Sequence, residues 1–89
     1  HTKLPGLDHC VGIFLRLAEP VSFDAHDGKR VDLIFALLSP QKAGVEHLKA
    51  LAAVSRFLRD DHMVAKLRGA SGRDALYALL NKQHEQQAA

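Results

Sequence analysis

One cysteine, Cys10, is all the chain has, which excludes an internal disulfide framework and fits a reducing cytosol. No apolar run is long enough to span a bilayer, and no charged-then-apolar leader precedes a small-residue cleavage site. A cytoplasmic chain without direct membrane insertion is expected. Charge of one sign is scarce too. With 12 basic and 10 acidic residues the formal charge is +2, and the basic residues are scattered, so nothing marks a nucleic-acid surface. Internal repeats are missing, as is any linker that would split the chain. So is an initiating Met: the chain opens on His1-Thr2-Lys3-Leu4, and the N-terminal portion of the domain is expected to be absent.

What is present suits one small domain or part of one. The 89 residues are 47% hydrophobic and 25% charged, enough for a modest core and against wholesale disorder. Residues 1–9 read as loop, with Pro5-Gly6 as a turn signal. Val11, Ile13, Leu15 and Leu17 alternate with Gly12, Phe14 and Arg16, a strand with at least one buried face that Glu19-Pro20 ends. A short extended piece over residues 21–25 leads to the tight-turn pair Asp27-Gly28. Residues 31–38 follow. Apart from Asp32 they form an unbroken apolar run, as in a central strand covered on both faces, and Ser39-Pro40 stops it.

The rest reads as helix. Residues 44–59 carry Leu48, Leu51, Ala52 and Leu58 on one stripe, with Val54 and Phe57 beside it, as for a helix packed on a sheet and a neighbouring helix. Asp60 is placed to cap a short helix holding Met63, Val64 and Leu67. Ser71 with Asp74 three residues on resembles a capping box for the last helix, through Ala75, Leu76, Leu79 and Leu80. Residues 83–89 are polar and uncapped, a frayed tail. The expected fold is α/β, a mixed β-sheet flanked by helices, with residues 1–82 as the C-terminal part of a single domain. An isolated strand pair is marginal, so the central run needs further neighbours.

Six histidines are generous for this length, and they are not equivalent. His26 beside the turn, His62 in the polar opening of a short helix and His84 in the tail read as solvated surface imidazoles. His9 and Cys10 make a poor metal pair, because adjacent residues in a strand point to opposite faces. His47 differs by position. It follows the carboxyl end of the most apolar strand by a short loop and falls in the first turn of a helix. Ligands in open α/β sheets sit outside the carboxyl ends of strands, and helix N-termini offer free N–H groups to anions such as phosphate. By spacing alone, a half-buried His47 bonded to a neighbour is as good a reading. His1 has no local context of its own.

The surrounding segments supply that context. They are His1 with Thr2-Lys3-Leu4, Leu17-Ala18-Glu19-Pro20-Val21-Ser22-Phe23-Asp24-Ala25, and Asp27-Gly28 leading into Val31-Asp32-Leu33-Ile34-Phe35-Ala36-Leu37-Leu38. Glu46-His47-Leu48, Leu67-Arg68 and Leu76-Tyr77 complete the set. On these residues the chain resembles, over nearly its whole length, the enzyme IIA domain of the bacterial phosphoenolpyruvate-dependent sugar phosphotransferase system. The branch is the fructose/mannitol and nitrogen-regulatory one, and the phrase ending Phe23-Asp24-Ala25 looks most like the nitrogen-regulatory subgroup.

The resemblance implies a phosphotransferase/anion-transport-like IIA fold and a phosphohistidine relay without cofactor or metal. The family's phosphorylated histidine, in an Ile-Pro-His motif, falls on His1, and its second active-site histidine falls on His47. Thr2 stands where relatives often have Gly, and Thr2 and Lys3 are candidate phosphate contacts. A neutral imidazole is a good nucleophile near neutral pH and leaves easily again. Transfer needs in-line positioning and charge stabilisation more than a base, with His1 as acceptor and His47 stabilising the phosphoryl oxygens. The implied donor is a histidine phosphocarrier protein, and the implied role is regulatory, exercised on protein targets. The alternative is a fructose/mannitol-type IIA that passes phosphate to a sugar-specific IIB.

Two readings of other classes stand beside this. An N-terminal histidine offers amine and imidazole together, a chelate that suits Cu(II). Or the crevice is a pure protein-interaction module and its histidines are incidental. Independently of function, a strand apolar on both faces with unpaired edges leads us to expect that residues 1–89 alone aggregate or form a homo-oligomer that repairs the sheet between chains.

Overall fold

Alternating and unbroken apolar runs become strands here, and the polar-apolar mixture after residue 44 becomes helix. A computed structural model describes residues 1–24 and 26–88, with side chains as far as Lys82. The chain separates into two units, His1–Leu48 and Lys49–Ala89.

The first unit holds β1 (Thr2–Leu4), β2 (Val11–Val21) and β3 (Val31–Pro40), a mixed three-stranded sheet in the order β1-β3-β2. The long apolar run is the central strand, as expected. It pairs antiparallel with β2, Phe14 opposite Phe35 and Leu15 opposite Ile34. It pairs parallel with β1, Thr2 opposite Leu38, Lys3 opposite Ser39 and Leu4 opposite Pro40. The turn after Asp27 forms as its residues require: Lys29 N–H donates to Asp27 Oδ1 at 3.0 Å and Gly28 takes a φ of 70°.

Several boundaries differ from the sequence reading. Residues 1–9 are not all loop, because β1 occupies Thr2–Leu4. Three residues are too few to show a period, and this strand exists through its backbone partner. β2 continues through Glu19-Pro20 to Val21, with a register shift between Arg16 and Val21. Proline is tolerated on an edge strand, where its missing N–H need not serve the ladder. β3 likewise runs through Ser39-Pro40, held there by β1. The strand is also less covered than expected. Leu37 and Ser39 are buried, while residues 31–36 are only half-buried. The extended piece over residues 21–25 ends on Ala25, outside the described residues.

A turn joins β3 to α1 (Val45–Arg59). Ala43 N–H donates to Pro40 O and Glu46 N–H to Ala43 O, with Gly44 at a φ of 55° between them. The buried stripe of α1 is rotated from the one read in the sequence. Leu48 is 63% exposed, and the inward line is His47, Leu51, Val54 and Leu58 with Phe57. An imidazole that packs inward shifts the buried stripe by one position.

The second unit continues α1 and adds α2 (Asp61–Gly69) and α3 (Arg73–Ala88), which touch one another. Asp60 caps α2 as expected, its Oδ1 accepting from His62 N–H at 3.0 Å and Met63 N–H at 3.2 Å, and Leu67 is wholly buried. α3 starts one residue later than a Ser71 cap requires. Its first bond runs from Leu76 N–H to Gly72 O, so the Ser71/Asp74 box does not form on this register. The helix also continues through Ala88, across most of the stretch read as a tail; Gln and Ala propagate a helix and no Gly or Pro stops it. Ala89 lies outside the described residues. None of the described helices is long and apolar enough to cross a membrane.

Candidate functional site

Because β1 pairs only with residues 38–40 of β3, His1 lies beside the carboxyl end of the central strand. His47 arrives at the same end from β3 itself, through the turn that opens α1. There the two rings meet, centroids 5.4 Å apart and planes inclined by 56°. Strand alternation sorts the neighbours. Lys3 is in register with Ser39 and shares its face, while Thr2 is in register with Leu38 and takes the other; both are exposed.

The two histidines differ in setting. His1 is exposed, and His47 is only 6% exposed. Nδ1 of His47 lies 2.6 Å from the hydroxyl of Ser39, which is wholly buried. The thiol of Cys10 donates to the same hydroxyl at 3.4 Å. A line of polar groups therefore runs from Cys10 through Ser39 to His47 and ends at His1. Ser39 entered the sequence reading only as a strand stop. The available signal was a single hydroxyl closing an apolar run shortly before the histidine.

The remaining histidines stand apart. His9 turns to Asp8, Nδ1 2.5 Å from Oδ1, and this hydrogen bond and then the charge of His9 hold the Asp8 carboxyl below its usual range. It makes no pair with Cys10, whose partner is Ser39. His26 and His62 are exposed, and the side chain of His84 lies outside the described residues. Among the described residues no three His, Cys, Asp or Glu side chains converge as a metal site. A shallow apolar groove in the second unit, between Lys66 and Lys82, contains none of the candidate residues.

Residues 1–83 match the family described as phosphoenolpyruvate-dependent sugar phosphotransferase system, EIIA 2. A nitrogen regulatory protein of Bradyrhizobium diazoefficiens is 48% identical over 80 residues, covering 90% of this chain and 52% of that protein. A protein named as the fructose-specific EIIA component of Haloferax volcanii is 34% identical over 80 residues, covering 90% and 52%. The crystal structure of nitrogen regulatory protein IIA-Ntr from Neisseria meningitidis superposes with a TM-score of 0.78 at 37% identity, covering 88% of this chain and 53% of the other. The chain spans about half the length of the curated relatives it matches. A mixed sheet with three following helices, a family match along almost all its residues and these relatives agree: the chain belongs to the EIIA 2 family of the phosphoenolpyruvate-dependent sugar phosphotransferase system.

Proposed function

We propose that this protein accepts a phosphoryl group on His1 from a histidine phosphocarrier protein and acts in the cytoplasm as a regulator of the nitrogen type. The approach of the two rings, 5.4 Å between centroids, is the observation that carries the reading. One phosphoryl group attached to an exposed imidazole can lie against a second imidazole at that separation. In the transfer a neutral ring nitrogen of His1 attacks phosphorus, the new N–P bond forms, and the bond to the carrier's imidazole breaks with its electron pair returning to that ring. That ring takes up a proton as the other ring nitrogen of His1 gives one up. His47 donates to a phosphoryl oxygen as charge redistributes. Lys3, in register with Ser39, adds positive charge, and Thr2, in register with Leu38 beside it, is the further candidate phosphate contact. Likeness to nitrogen regulatory proteins supports a regulatory role through protein targets. Likeness to a fructose-specific component supports the second reading, in which phosphate passes to a sugar-specific IIB.

The test is labelling from phosphoenolpyruvate through the system's first enzyme and its histidine carrier. The expected product is an acid-labile, base-stable adduct. His1→Ala abolishes it, and His47→Ala slows its formation without moving the label. Labelling that persists in His1→Ala removes the role given to His1.

A further inference from the structure

We propose that Ser39 is the positioning residue for His47, its hydroxyl donating to Nδ1 and so holding the ring in the tautomer that carries its proton on Nε2. This rests on the reading of His1 and His47 given above. The direction of the bond follows from counting donors and acceptors. A serine hydroxyl has one proton and two lone pairs. The Cys10 thiol donates to Ser39 Oγ, so one lone pair is taken. Ser39 has no contact with water, and its own proton must reach a protein acceptor. His47 Nδ1 stands 2.6 Å away, a short and strong separation for such a pair. The reverse bond, from Nδ1–H to Oγ, would leave the serine proton only the Cys10 sulfur at 3.4 Å, a weak acceptor, whereas donation to Nδ1 at 2.6 Å spends it on the stronger one. Donation therefore runs from thiol to hydroxyl to imidazole, and a neutral ring that accepts at Nδ1 carries its proton at Nε2.

The chemical consequence is specific. The other tautomer would offer a lone pair at Nε2 and repel the oxygens of a phosphoryl group, whereas the Nε2–H form donates to them. Burial and the Ser39 bond together also keep the ring from turning over. A donor already aimed before charge arrives needs no reorganisation during transfer. A backing group that fixes tautomer and ring orientation is the general means by which a functional histidine is made ready.

Two-bond proton–nitrogen spectra of the imidazoles at neutral pH read the tautomer, and the labelling time course reads its effect. Wild type and Ser39→Thr, which keeps the hydroxyl, are expected to show His47 protonated on Nε2. Ser39→Ala is expected to show mixed tautomers and to label about ten-fold more slowly, by analogy with other loss of an orienting partner, with Ser39→Thr restoring the rate. A wild-type ring protonated on Nδ1 overturns the proposal, and so do an unchanged tautomer and rate in Ser39→Ala. Wild-type protein that takes no label at all overturns the reading of His1 instead, and the spectra, which need no phosphate, still decide the tautomer.

Discussion

His47, at 6% exposure, is buried as deeply as the apolar residues Leu37 and Phe57, an environment an imidazole tolerates only when its polar atoms are satisfied. His1 lies in the open. That contrast separates two variants that a transfer assay alone would not. His1→Ala is expected to keep unfolding free energy within about 0.5 kcal/mol of wild type, as surface replacements do, while losing the label. His47→Ala removes a buried ring and takes from the buried Ser39 hydroxyl its imidazole partner, a loss of about 1–3 kcal/mol. Its urea midpoint should fall along with its rate, and midpoints equal to those of His1→Ala would count against the buried bond. His47 was legible from its place after the apolar strand. Its partner was not, because a serine before proline reads first as a stop, and only pairing with β1 keeps Ser39 inside the sheet.

Among the elements, the turn into α1 decides where His47 stands. Gly44 takes a φ of 55° with open space where a Cβ would go, so Gly44→Ala meets no clash and pays only in backbone strain. That strain is about 1–2 kcal/mol, and relieving it shifts the first turn of the helix. Gly28 offers a control, with a φ of 70° and equally open surroundings in a turn on the other side of β3 in sequence. Both alanine variants are expected to lower the urea midpoint by similar amounts, but only Gly44→Ala should slow labelling. Equal transfer rates would show that the turn does not set the ring's position. The Asp60 cap makes a simpler expectation: Asp60→Ala costs about 1 kcal/mol by leaving the N–H groups of His62 and Met63 without their acceptor. Strands β2 and β3 and the cap of α2 were readable because period and capping chemistry are local. The start of α3 and the phase of α1 were harder. The first turned on a one-residue register, and the second on a histidine that packs inward with the apolar set.

At the scale of the whole chain the edges of the sheet decide its behaviour. It is three strands wide, and β1 reaches only residues 38–40 of β3. Along residues 31–37 one side of the central strand has no neighbour among the described strands, and β2 is an edge along its 11 residues. A strand edge without a neighbouring strand is a template for another strand. One face of the same sheet also carries Leu4, Ile13 and Leu15 at 39%, 45% and 50% exposure, in register with Pro40, Ala36 and Ile34 of β3. A contiguous apolar row favours association. A run apolar on both faces calls for cover on both. Residues 1–89 alone are therefore expected to sediment as an oligomer or aggregate, in a concentration-dependent way. Leu15→Lys, which places a charge on the exposed face of the edge strand, should shift the population toward monomer. A cooperatively melting wild-type monomer at every concentration would show that the three strands need no further cover.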